Sequence, residues 1–343
     1  DSCLSISGYS IRRLRRSSND DLVLWSVLQP SGFYLFPVLV RKFLLKSAIV
    51  LGLVFGFILG YGSFCDYFFQ QKQFLDLSEK KQWVLAQEGK SYDYAVLGSS
   101  RAYGAFDMNL LDSLTGWNGI NLGANGSGFK DNYLVLCLFL KTNKIRKLFL
   151  QVDMASLNSK TSFSNEFHAF TFFPYWEEKE VKVVLKEEIP ILTSPINDLA
   201  PQWRYFYYNK YFSPKEVWRR IQLSKTQNDL YSKSKGGIIG DYLDPKEKKI
   251  QTYELPKTAD PSDWNYLMKI KAKAESAGIE VIFFSAPRYQ DNQKEVKSIL
   301  SSLPNRKVFP GGFDFSDLGL FYDQGHLNEK GRKYFTRLFS THS

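Results

Sequence analysis

Residues 92–101 read YDYAVLGSSR: a short apolar run, Tyr92–Leu97, closed by Gly98 and followed by two hydroxyl side chains and an arginine. An apolar run of this length bounded by turn residues reads as a buried strand. The small residue and the hydroxyls after it read as the turn from a strand into a helix. The same alternation continues on both sides. Asn109–Leu114 reads as a helical turn or two, and Gly119–Leu122 as a short strand closing at Gly123. Phe129–Lys141 reads as a helix with a continuous apolar face, and Lys147–Val152 (KLFLQV) as a strand. Far downstream, Asp263–Ala277 reads as an amphipathic helix stopped by Gly278, and Ile279–Phe284 as a buried strand ending in Ser285-Ala286-Pro287. Asn328–Phe339 reads as the last helix. Strands alternating with helices predict an α/β fold, a three-layer sandwich with a mainly parallel sheet.

Upstream, Ser47–Cys65 (SAIVLGLVFGFILGYGSFC) holds 19 consecutive uncharged residues. As a helix they reach about 28 Å, which matches a hydrocarbon core of ~30 Å. A cleaved signal peptide is the competing reading, but its apolar core is usually only about 7–15 residues. The sequence therefore predicts one transmembrane anchor over 47–65. Residues 1–46 carry seven basic and three acidic side chains, +4 of the +10 on the whole chain. By the positive-inside rule they form a basic cytoplasmic tail, with all that follows Asp66 outside. Residues 1–39 have no starting Met and no clean periodicity, so the native start is expected near Val40.

The domain plan completes itself from the remainder. Residues 66–90 are polar and helix-forming and read as a stalk. Residues 91–157 and 261–343 form the α/β domain. Residues 158–260 interrupt the alternation with aromatic-rich stretches such as FHAFTFFPYW and PQWRYFYYNKYF, and read as a mostly helical insertion. Its aromatics either form its core or line a substrate groove or the bilayer surface. Charged residues make up 23% of the 343, an ordinary share for a folded chain. The remaining +6 is diffuse, without a basic stripe, which argues against nucleic acid as a partner. Three scattered cysteines exclude a disulfide framework, and three scattered histidines give no zinc spacing. Cys137, inside LVLCLFL, reads as a small core residue.

In open α/β sheets, ligands bind beyond the carboxyl ends of the strands. Three such ends carry polar or glycine-rich sequence. Gly98-Ser99-Ser100-Arg101 presents a hydroxyl oxygen there, or is an ordinary turn. Asn121-Leu122-Gly123-Ala124-Asn125-Gly126-Ser127-Gly128 lets the backbone approach a ligand with its N–H groups. It lacks the Lys-Ser/Thr of a P-loop and does not fit G-x-G-x-x-G. Asp323-Gln324-Gly325-His326 puts an acid three residues before a histidine on one loop. The acid can bond Nδ1–H and leave Nε2 as a general base, or the two can simply cap the helix that Asn328 begins.

Taken in order, the three blocks resemble the SGNH hydrolases, the GDSL-like esterase and lipase superfamily. Gly98-Ser99-Ser100 matches the family's Gly-Asp-Ser with Ser in place of Asp; Asn121, Gly123 and Gly126 match Asn-x-Gly-x-x-Gly; Asp323 and His326 match Asp-x-x-His. The resemblance implies Ser100 as nucleophile, His326 as base and Asp323 as its orienting acid. It implies an oxyanion hole from the N–H groups of Ser100 and Gly126. The family's third block, Gly-x-Asn-Asp, is replaced by Gln151-Val152-Asp153-Met154, so Asn125 is the residue read as a stand-in side-chain donor. Arg101 is read either as holding an anionic part of the substrate or as an ion-pair partner. Such chemistry calls for no metal or organic cofactor. A Leu-Gly-Ser-Ser-Arg block behind one anchor is similar to the membrane-anchored subgroup that works beside membrane-bound O-acyltransferases, as in teichoic-acid D-alanylation and alginate acetylation. The resemblance implies an esterase or O-acyltransferase on acyl esters of an envelope glycan or glycolipid. A non-catalytic partner that binds the polymer or the acyltransferase is the rival reading. A scaffold with an accidental motif set is the third, and it expects Ser100 and His326 to lie far apart.

Overall fold

The computed structural model describes residues 35–70, 79–153, 157, 169–207, 213–215, 217–218, 228–238, 260–290, 293–304, 307–308 and 312–341. Most of the expected N-terminal tail, residues 71–78 of the expected stalk and large parts of the expected insertion lie outside these residues. The chain divides into two units, residues 1–61 and 62–343.

The first unit is described from Leu35 onward as helix α1 (Leu35–Gln70), whose last turns belong to the second. The helix is longer at both ends than the apolar run that announced it. Arg41, Lys42 and Lys46 stop the uncharged run but not the helix, because long basic side chains are good helix formers. Over Val38–Phe69 it is long and apolar enough to cross a membrane. Leu51 and Leu53 are among the apolar side chains it leaves exposed.

In the second unit, the five strands are β1 (Ser91–Leu97), β2 (Gly119–Asn121), β3 (Lys144–Gln151), β4 (Glu280–Phe284) and β5 (Lys307–Val308). They pair in the order β2-β1-β3-β4-β5, every pair parallel. The first crossover, from β1 to β2, goes to one side of β1, and β3 returns to the other side. The carboxyl ends of β1 and β3 therefore flank a topological switch point, the place where doubly wound sheets leave a crevice. The register sets the two ends level, with Leu97 opposite Leu150.

Side chains along a strand alternate between faces. On one face Tyr94, Val96, Phe149, Ile282 and Phe284 are buried against α3 (Ser100–Ala105), α4 (Met108–Thr115) and the last helix, Glu329–Ser340. Phe339 holds this layer together: its ring meets Phe106 at 4.8 Å, Phe149 at 5.0 Å and Phe284 at 5.8 Å, all edge to face. The alternate residues Ala95, Leu97, Leu148, Leu150, Val281 and Phe283 are buried as well, so both faces of the sheet are covered. Helices α5 (Phe129–Thr142) and Pro261–Ser276 pack on each other, and the latter packs on β4.

The elements expected from sequence stand close to their expected bounds, α3 begins where the turn from strand into helix was read, and β5 and the helix Gln293–Ser302 are additional. Within the residues expected as a stalk, α2 (Glu79–Leu85) is built into this domain. Trp83 and Val84 are buried, Lys81 pairs with Asp131 at 2.5 Å, and Lys80 donates to the carbonyls of Asn121 and Gly236. The last turn of α1 is tied down too, since Asp66 accepts from Arg204 and from the Tyr205 hydroxyl. Among the described aromatics of the insertion, Phe170, Phe172, Phe173, Trp176 and Tyr205 are buried, whereas Trp203 and Phe206 are half-buried and Trp218 is exposed.

Candidate active site

Ser100 is the first residue of α3, directly beyond the carboxyl end of β1. Ser99 is the cap of that helix, its hydroxyl accepting from the Arg101 N–H at 3.3 Å. His326 comes from the other end of the chain, on the loop before Glu329–Ser340. That loop is fixed by its own backbone. Phe321 and Leu327 form an antiparallel bridge, Tyr322 N–H donates to the His326 carbonyl at 2.9 Å, and Asn328 N–H donates to the Leu320 carbonyl at 3.1 Å. Asn328 then caps the helix by accepting from Gly331 N–H at 2.9 Å.

The three side chains meet in a line. His326 Nε2 lies 2.8 Å from Ser100 Oγ, and Nδ1 lies 2.9 Å from each carboxylate oxygen of Asp323. A carboxylate can only accept, so the proton sits on Nδ1, and Nε2 is left as the acceptor for the serine hydroxyl. Asp323 Oδ1 also accepts the N–H groups of Gly325 at 2.7 Å and His326 at 2.9 Å. Burial works against its ionisation, but the hydrogen bond and charge of His326, with the two backbone donors, outweigh that and hold the carboxyl below its usual range. Asp323 is thus an anion held in place by its own loop. The expectation that an accidental motif set would keep Ser100 and His326 apart is overturned by the 2.8 Å contact.

The glycine-rich loop lies against the same turn. Leu122 N–H donates to Val96 O at 2.7 Å and Ala124 N–H to Gly98 O at 3.3 Å. Asn121 has a structural part here: its amide donates to Ala102 O at 3.1 Å and accepts from Gly123 N–H at 2.9 Å. Beyond it Asn125 and Gly126 are exposed, and Gly126 has a positive φ of 68° that suits glycine. Among the described residues, the N–H groups of Ser100 and Gly126 and the Asn125 amide have no hydrogen-bond partner. These are the three groups read from sequence as oxyanion donors.

Arg101 takes the ion-pair role of the two read for it. Its guanidinium is buried, 2.7 Å from Asp153, and also donates to the Ala286 carbonyl. Its charge is thus met inside the protein rather than left for a substrate. Sequence reading assigned no part to the residues behind it. Gln151, 1% exposed, accepts at Oε1 from Ser99 N–H (2.9 Å), Ser99 hydroxyl (3.0 Å) and Ala102 N–H (3.0 Å), and its Nε2 donates to Asp153 at 2.5 Å. The only local signal was a polar pair, Gln151 and Asp153, just after the apolar run Leu148–Leu150. The fit is close, since a Cβ on Gly98 would lie 2.5 Å from Gln151 Oε1. No family model and no curated protein matches this chain.

Proposed function

We propose that the protein is a membrane-anchored serine esterase or O-acyltransferase of SGNH type, working through an acyl-Ser100 intermediate. The observation that carries the reading is the Ser100–His326–Asp323 line, at 2.8 Å and 2.9 Å, assembled from two ends of the chain at the switch point of a parallel sheet.

The chemistry follows from that line. Ser100 Oγ attacks the carbonyl carbon of an acyl ester while His326 Nε2 takes its proton. Asp323 keeps the Nδ1–H tautomer and stabilises the imidazolium. The oxyanion of the tetrahedral intermediate falls to the unpartnered N–H groups of Ser100 and Gly126, with the Asn125 amide beside them. The intermediate collapses, the C–O bond to the alcohol breaks, and His326 returns the proton to that alcohol. A water or a sugar hydroxyl then attacks the acyl-Ser100 carbonyl, giving its proton to His326 and releasing an acid or a new ester. Ser100 takes the proton back.

One helix apolar enough to cross a membrane, with the basic residues Arg41, Lys42 and Lys46 ahead of its uncharged run, supports an anchored domain outside the cytoplasm. A substrate at that surface is an acyl ester of an envelope glycan or glycolipid. The test is labelling of the full-length protein by a fluorophosphonate. Ser100 should label, and Ser100→Ala should lose labelling and esterase turnover while its unfolding midpoint stays near wild type. Labelling that survives in Ser100→Ala sinks the assignment.

A second reading rests on the missing Asn of the third block and on the Gln151 amide that stands there facing inward to Ser99 and Ala102. In it the domain is a non-catalytic partner of a membrane-bound O-acyltransferase, holding polymer or acyltransferase. It predicts a folded wild-type protein that fails to label and co-purifies with an integral-membrane protein.

A further inference from the structure

The donors around Ser100 are distributed unevenly. Of the backbone N–H groups from Ser99 to Ala102, those of Ser99 and Ala102 go to Gln151 Oε1, and that of Arg101 goes to the Ser99 hydroxyl. The Ser99 hydroxyl is itself held on the same Gln151 oxygen. What remains at this turn is the N–H and Oγ of Ser100, the pair that a nucleophile with its own oxyanion donor needs. Gln151 does this only in one orientation. Its Nε2 must face away from α3, and Asp153, an acceptor at 2.5 Å, selects that orientation. With the amide reversed, an NH2 would meet two N–H groups. The Asp153 carboxylate is in turn buried, 2% exposed, and is neutralised by Arg101 at 2.7 Å. Arg101 also donates to the Ala286 carbonyl just beyond β4. The chain Ala286–Arg101–Asp153–Gln151–Ser99 thus crosses the carboxyl ends of three adjacent strands, β4, β3 and β1.

We propose that Gln151, oriented by Asp153 and Arg101, is the positioning residue for Ser100: it consumes the neighbouring donors and aims the first turn of α3 so that only the Ser100 N–H and hydroxyl face the substrate. The proposal rests on Ser100 being the nucleophile. It assigns the altered third block a role other than the oxyanion contact, which is left to the groups at 100, 125 and 126.

The experiment removes the acceptor and then restores it in the same shape. Full-length wild type, Gln151→Leu, Asp153→Leu and Gln151→Glu are compared by second-order rate of fluorophosphonate labelling, with the unfolding midpoint of each measured in parallel. Gln151→Glu keeps an oxygen for the Ser99 and Ala102 donors, and a proton shared with Asp153 takes the place of the amide donor. Each leucine variant should label about 10- to 100-fold more slowly at temperatures where it is fully folded, the scale expected for a misplaced reacting group. Gln151→Glu should stay within about threefold of wild type, because the reacting group is not displaced. Leucine variants that melt earlier but label at the wild-type rate would overturn the proposal, because a merely structural role predicts that pattern. A folded Gln151→Glu variant as slow as Gln151→Leu overturns it too. If the leucine variants do not fold, Gln151→Glu against wild type decides alone, and a loss of about tenfold or more overturns the proposal. Failure of wild type itself to label is a different result, and removes the nucleophile rather than the positioning residue.

Discussion

Asp323→Asn exchanges a single oxygen for nitrogen, and the structure says which one. Oδ1 accepts two backbone N–H groups, from Gly325 and His326, and both carboxylate oxygens lie 2.9 Å from His326 Nδ1. The amide oxygen of the variant must take the Oδ1 place, since the backbone donors select it. The NH2 then takes the Oδ2 place and points a hydrogen at Nδ1. The imidazole answers by moving its proton to Nε2, 2.8 Å from Ser100 Oγ, where it donates instead of accepting. The base is present but in the wrong tautomer. For a serine triad this loss is about 10,000-fold in rate, or about 5 kcal/mol on the barrier.

The fold should hardly notice. The two backbone hydrogen bonds of the loop survive, and the side chain is 40% exposed, so its charge adds little to stability. The assay is the second-order rate constant of fluorophosphonate labelling on full-length protein in detergent micelles, with intact mass to count the label and an unfolding midpoint as control. A rate within tenfold of wild type, in folded protein, refutes the tautomer argument. A rate loss that tracks a fall in the unfolding midpoint refutes it as well, because the loss would then belong to the loop.

Two further outcomes follow from the charges. Asp323 has a native carboxyl below its usual range, so it stabilises the native loop above the unfolded value of about 3.9, and that contribution is lost as the pH falls through the lower native value. The difference in urea midpoint between wild type and Asp323→Asn should be steady from about pH 7 to 5 and shrink below about pH 4; a difference that grows in acid contradicts the sign. Lys81, whose pKa burial lowers and Asp131 partly restores, makes a buried pair at 2.5 Å that ties α2 to the start of α5. Lys81→Met removes the cation beside the buried Asp131 carboxylate and should cost about 3–5 kcal/mol in urea denaturation, and a cost under about 1 kcal/mol would mean that water reaches that carboxylate.

Local sequence carried the elements whose causes are local. The strands β1, β3 and β4 are apolar runs with turn residues at their ends, and parallel pairing buries both their faces, so the signal needs no partner to be read. Asp323 and His326 were legible for the same reason, since one loop holds both members of the contact. Helix α3 was not. Its six residues, SRAYGA, contain two poor helix formers, and the groups that hold its first turn belong to Gln151, about 50 residues away in sequence. Residues 79–85 misled in the opposite direction, because a polar, helix-forming stretch with Lys80 and Lys81 read as part of a stalk. Their burial depends on Asn121, Asp131 and Gly236, the nearest of them about 40 residues on. β5, two residues long, has no pattern to read. The same division runs through the site. The orientation of His326 is written in four consecutive residues, whereas the orientation of Ser100 is spread over the ends of β1, β3 and β4. A substitution in the sequence block that looks least conforming, Gln151-Val152-Asp153, therefore acts on Ser100 through the sheet rather than through the substrate.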